Sequence, residues 1–183
     1  MARRVSLLCA LAMTAVFFSP FPFGPSPVLA EQREEAKDTD GNGKPDEWKI
    51  YDGSTLLRVE RDRDGDGKRE VVIFMKDGKP DRAEVDRNHD GKPDILLFYK
   101  EGRPDRQQAD LNFDGKADSW TYFKNGLKDF TIMDKNYDGK PDAWFYYGQA
   151  GLKLIGGVID ENFDGKPNRT WGSVPKEENR KPW

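Results

Sequence analysis

A nine-residue acidic motif returns six times along this chain and limits it to a repeat architecture. The motif reads D-T-D-G-N-G-K-P-D from Asp38, D-R-D-G-D-G-K-R-E from Asp62 and D-R-N-H-D-G-K-P-D from Asp86. It continues as D-L-N-F-D-G-K-A-D from Asp110, D-K-N-Y-D-G-K-P-D from Asp134 and D-E-N-F-D-G-K-P-N from Asp160. The first five starts are 24 residues apart, and the last interval is 26, with the extra length near residues 148–157. Units of this size cannot bury an apolar face alone and are stabilised by stacking on their neighbours.

Two short segments around a turn fill the space between motifs. The first is apolar and aromatic: residues 48–51, 71–75, 95–99, 120–123 and 144–147. Such runs are rich in β-formers and too short for helices. Asp52-Gly53, Asp77-Gly78, Glu101-Gly102 and Asn125-Gly126 follow them, and dipeptides of this kind favour two-residue hairpin turns. The second segment is more polar, as in residues 82–85. The predicted fold is all-β: tandem 24-residue β-hairpin repeats, an antiparallel meander or solenoid or a partly closed barrel, with acidic loops along one edge. Trp48, Val72, Leu96, Trp120 and Trp144 occupy one repeat position, and Ile50, Phe74, Phe98, Tyr122 and Tyr146 lie two residues later. Alternate strand residues share a face, so these ten predict one apolar stripe.

Within each motif, oxygen-bearing residues hold positions 1, 3, 5 and 9, with glycine at 6. These residues are Asp38, Asp40, Asn42 and Asp46; Asp62, Asp64, Asp66 and Glu70; Asp86, Asn88, Asp90 and Asp94. The later loops supply Asp110, Asn112, Asp114 and Asp118; Asp134, Asn136, Asp138 and Asp142; Asp160, Asn162, Asp164 and Asn168. Calcium takes six to eight hard oxygen ligands. Side chains at 1, 3 and 5, a backbone carbonyl at 7 and an acid at 9 meet that need, while glycine at 6 permits the bend. Position 7 is lysine in every loop, which suits a carbonyl-only role. Of the 33 acids, 18 fall at these positions. Crowded carboxylates repel one another, and a cation reverses that sign. Asp, Asn and Gly favour turns without metal, which accounts for one or two loops but not for acids at fixed offsets six times. Up to six calcium ions are expected.

The loops resemble the Asp-x-Asp-x-Asp-Gly calcium loops of the EF-hand, dockerin, integrin-α propeller and thrombospondin type 3 families, over about nine residues of every repeat. The resemblance implies ligand roles for Asp38, Asp40, Asn42 and Asp46 and for their counterparts in each loop. One departure stands out. The bidentate glutamate at position 12 of the EF-hand is replaced by Lys49, Ile73, Leu97, Thr121, Phe145 and Trp171. A strand-flanked loop, closer to the integrin type, fits better, with affinity weakened to about 10⁻⁴–10⁻³ M.

The rest of the chain sets the context. Residues 1–30 read as an export signal: Arg3 and Arg4, an apolar run over residues 6–18, and Val28-Leu29-Ala30 as a cleavage site. That run is too short to span a bilayer, so no transmembrane span is expected after cleavage, and the protein is expected in the periplasm or at the cell surface. Cys9 leaves with the signal. Losing Arg3 and Arg4 takes 30 basic residues to 28 against 33 acids, a net charge of -5. No basic block speaks for nucleic acid. Residues 31–37 read as a linker, 38–171 as the array and 172–183 as a loose tail. His89, at position 4 of its loop, is the only histidine and is expected to face solvent or pack. No nucleophile–base pair emerges, so no enzyme is expected. The leading functional expectation is an exported scaffold rigidified by calcium. The second is a calcium-dependent glycan- or cell-wall-binding module using the aromatic strands, with a cell-surface glycan or another envelope protein as partner.

Overall fold

The structure, a computed structural model, describes residues 32–148 and 151–175. The export-signal reading of residues 1–30 lies outside the described residues, as do residues 176–183 of the expected tail. Twelve strands form in order: Gln32–Lys37 (β1), Glu47–Asp52 (β2), Thr55–Arg61 (β3), Val71–Lys76 (β4), Lys79–Val85 (β5), Ile95–Lys100 (β6), Arg103–Ala109 (β7), Ser119–Lys124 (β8), Leu127–Met133 (β9), Ala143–Gly148 (β10), Lys153–Ile159 (β11) and Arg169–Gly172 (β12). All pair antiparallel with their sequence neighbours in one sheet, and β1 and β12 are its outermost strands among the described residues. Of the expected forms the chain takes the open meander, not a closed barrel. The acidic motifs make the six connections on one sheet edge, and the short turns lie on the other.

The turns follow their glycines. Asp77-Gly78, Glu101-Gly102 and Asn125-Gly126 each place both residues at positive φ, between 50° and 80°, as a type I′ turn requires. In the first hairpin Asp52 pairs with Thr55, so Gly53-Ser54 forms the loop, one residue later than expected. Every hairpin carries a bulge at the same repeat position, next to Ile50, Phe74, Phe98, Tyr122 and Tyr146. Pro80 and Pro104 sit beside two of these bulges, where a missing ladder donor is tolerated. Bulges also strengthen local twist.

The expected stripe lies on one face, but it alternates with polar residues of the second strands. Trp48, Val72 and Leu96 stand opposite Glu60, Glu84 and Gln108, while Phe74 and Phe98 stand opposite Arg82 and Arg106. The Arg82 guanidinium lies 4.6 Å from the Phe74 ring centroid and that of Arg106 4.4 Å from Phe98. Each such contact contributes on the order of 0.5–1 kcal/mol. At β9 the arginine position becomes Phe130, whose ring stacks on Tyr122 with centroids 4.4 Å apart. The densest packing is here: Phe130, Ile132 and Tyr146 are buried, with Trp120, Tyr122, Trp144, Ile155, Val158 and Val174 against them. The opposite face is apolar too, carrying Val59, Ile73, Ala83 and Leu97 in one cross-strand row. Further along that row Thr121 and Thr131 share a buried hydroxyl–hydroxyl hydrogen bond of 2.9 Å.

Two boundaries differ from the sequence reading. The segment taken as a linker is strand β1, paired with β2 from Gln32 to Lys37. Arg69 anchors it by donating to both carboxylate oxygens of Glu34, at 2.8 and 3.0 Å. The tail is also held at its start: the Ser173 N–H donates to the Ile155 carbonyl at 2.8 Å, and Val174 packs on the core cluster.

Candidate metal centre

The acidic loops share one backbone solution. The position-1 aspartate accepts the N–H of the position-6 glycine in all six, from Gly43→Asp38 at 2.8 Å to Gly165→Asp160 at 2.7 Å. The position-5 side chain accepts the position-7 N–H, as in Lys44→Asn42 and Lys140→Asp138 at 2.8 Å. The position-9 side chain accepts the position-2 N–H, from Arg87→Asp94 at 2.6 Å to Glu161→Asn168 at 3.0 Å. Glycine at 6 takes φ between 86° and 91° in every loop, a conformation costly for any residue with a Cβ.

Position 4 also lies at positive φ in each loop, which sequence reading missed. Gly41 and Gly65 take it freely, whereas His89, Phe113, Tyr137 and Phe163 hold it at 58–64°. The rings of Phe113, Tyr137 and Phe163 are exposed. Nothing in the sequence signals this except the paired glycines of the first two loops.

In the first two loops three carboxylates converge. Asp38, Asp40 and Asp46 each offer a carboxylate oxygen within 4.8 Å of the others, and so do Asp62, Asp64 and Glu70. These are positions 1, 3 and 9. Loops three to six carry asparagine at position 3, and its amide donates to the position-5 carboxylate, as from Asn136 to Asp138 at 3.2 Å. Position 5 thus meets position 3 in every later loop. In loop two Asp66 instead groups with Asp64 and with His89 of the next loop. Asp62, Asp94, Asp110, Asp118, Asp134, Asp142 and Asp160, all at position 1 or 9, are buried.

Consecutive loops are joined directly. The position-1 N–H donates to the position-9 carbonyl of the loop before, from Asp62→Asp46 at 3.0 Å to Asp160→Asp142 at 2.7 Å. Ordering one loop therefore fixes the first residue of the next.

The electrostatics are one-sided. Among the described residues, no lysine or arginine pairs with a position-1 or position-9 acid; basic partners go to Glu34, Glu35, Glu47, Glu60, Asp66, Glu84 and Glu161 instead. The Gly43 N–H, aided by that of Gly41, holds the Asp38 carboxyl below its usual value. Buried oxygens without any hydrogen-bond partner remain at Glu70 Oε2, Asp86 Oδ1 and Asp160 Oδ1.

The chain matches no protein-family model and no curated protein. Its chemistry must be read from its own donors, which are hard carboxylate, carboxamide and carbonyl oxygens. Such a set suits a hard divalent cation; among the described residues three carboxylates converge within a loop at Asp38, Asp40 and Asp46 and at Asp62, Asp64 and Glu70, and no such group forms within loops three to six. The last loop offers least, with Asn168 replacing an acid. No helix among the described residues is long and apolar enough to cross a membrane.

Proposed function

We propose that this is a calcium-binding repeat protein in which ions in the acidic loops rigidify an exported scaffold. The observation that carries this reading is the burial of seven loop carboxylates with no basic partner among the described residues. Burying an unpaired charge is costly. Backbone N–H donors offset part of that cost, but the orphaned oxygens of Glu70, Asp86 and Asp160 have no donor at all. A divalent cation supplies the missing positive charge. The export-like residues 1–30 support placing the protein in the periplasm or at the cell surface, where free calcium suits weak sites. Binding to the folded form alone stabilises it by linkage. Calorimetric titration with calcium is expected to show up to six weak sites, and circular dichroism is expected to gain β signal on passing from chelator to millimolar calcium. Absence of binding heat together with an unchanged spectrum refutes the reading.

The second reading, a glycan- or cell-wall-binding module, is favoured by the exposed rings of Phe113, Tyr137 and Phe163 at one loop position. Of the strand aromatics, Trp48, Phe74 and Phe98 lie under Arg69, Arg82 and Arg106, and Trp120, Tyr122, Trp144 and Tyr146 belong to or pack on the core cluster. Retention on insoluble glycans in calcium, lost on replacing the three rings with alanine, tests this.

A further inference from the structure

His89 differs from every other position-4 residue. Phe113, Tyr137 and Phe163 turn rings outward at the same place, and the first two loops have glycine. The His89 imidazole instead lies against the preceding loop. Its Nε2 is 3.4 Å from Asp64 Oδ2 and its Nδ1 is 3.5 Å from Asp66 Oδ2. Both separations exceed those of a good hydrogen bond, and Nδ1 is buried without a hydrogen-bond partner. The carboxylates are arranged to leave these oxygens available. Asp64 Oδ1 accepts the Asp66 N–H at 3.2 Å and Asp66 Oδ1 accepts the Lys68 N–H at 2.8 Å. The Oδ2 atoms face the ring, with the Lys68 ammonium at 3.7 Å from that of Asp66. One ligand atom from each of Asp64, Asp66 and His89 lies within 4.8 Å of the others.

We propose that His89 makes the junction of the second and third loops a mixed nitrogen–oxygen site for a first-row transition cation of the zinc class. Imidazole favours zinc, copper and nickel, whereas calcium takes oxygen. Three protein ligands leave further coordination positions to water, as in open zinc sites. His89 shares its left-handed backbone, φ 60°, with Phe113, Tyr137 and Phe163, so it is the placement of its side chain that sets the ring against the preceding loop. The site shares Asp64 and Asp66 with the oxygen set of loop two but does not depend on that loop taking calcium.

The test uses the purified chain and His89→Phe. Loops four and six hold phenylalanine at this position at φ 64° and 58°, so the substitution preserves the backbone. Zinc calorimetry in calcium-free buffer is expected to show one site in the wild type, weakened roughly tenfold or more in the variant. Copper(II) added at one equivalent is expected to give an electron paramagnetic resonance spectrum with nitrogen splitting, absent in His89→Phe. Identical zinc isotherms, or copper with oxygen donors alone, overturn the proposal and leave the histidine as an ion-pair partner only. Calcium titration of both proteins separates the two readings. Nitrogen-ligated copper without calcium binding sinks the calcium proposal and keeps this one, and calcium binding with His89-independent zinc does the reverse.

Discussion

Replacing Asp134 with asparagine separates a metal loop from a metal-free turn. The Asp134 carboxylate is almost wholly buried and accepts the N–H groups of Tyr137 at 2.7 Å, Asp138 at 3.3 Å and Gly139 at 2.7 Å. Asparagine keeps the shape but offers one acceptor oxygen, so lost hydrogen bonds alone cost about 1–3 kcal/mol at any calcium concentration. The calcium term behaves differently. A site with Kd of about 10⁻⁴–10⁻³ M contributes RT ln(1 + [Ca]/Kd), which rises by about 1.4–2.3 kcal/mol between ~0.1 and ~10 mM calcium. Once the Asp134 charge is gone the fifth loop stays empty, and the variant misses that increment. Urea denaturation of both proteins at both concentrations measures the difference of differences. The gap between wild type and Asp134→Asn is expected to widen by that increment as calcium rises. A gap of constant size would show that Asp134 serves only its hydrogen bonds.

Two further outcomes test the scaffold. Hydrogen bonding from Arg69 holds the Glu34 carboxyl below its usual 4.5, and at Glu60 burial pushes upward but Arg69 and Arg58 outweigh it. Folded values below unfolded ones mean stability that is complete above about pH 4.5 and is lost as pH falls through the folded values. The stability gap between wild type and Arg69→Met is therefore expected to be constant near neutral pH and to close on acidification below about pH 4.5; a gap independent of pH refutes the pairing. Removing residues 32–37 exposes the ladder edge of β2 and strips Glu34 from Arg69, so thermal scans and light scattering are expected to report a lower midpoint and association, whereas a true linker would leave both unchanged.

The repeat period and the hairpins were legible because each rests on local rules: alternation and turn dipeptides. What escaped rests on cross-strand placement. Gln32–Lys37 has no apolar residue except Ala36, so it reads as a linker, yet it aligns with the polar second strand of each later repeat. The arginines of the stripe face aromatic rings only through register, which the bulges fix by adding one residue to each second strand. Without the bulge, Arg82 would shift one place and turn to the other face. The left-handed position 4 escaped because its only signal is glycine in the first two loops, while later loops place bulky rings where such φ values are uncommon.

A single sheet with two apolar faces lacks the second layer that most domains use to bury them. Here lateral contact within each face takes over part of that task. Arginine guanidinium groups cover aromatic rings in the early repeats, and Phe130, Ile132 and Val174 pack in one cluster with the rings of the late ones. This solution leaves the loop edge as the place where order is decided. The first two loops each gather three carboxylate oxygens, and each loop up to the fifth is tied to the next through the position-1 N–H and position-9 carbonyl. Repulsion among the carboxylates and the hydrogen bonds that gather them therefore act on the same few residues. Under the proposed calcium binding, an ion there would act on both at once, so the gain in order is expected to reach the strands that each loop joins.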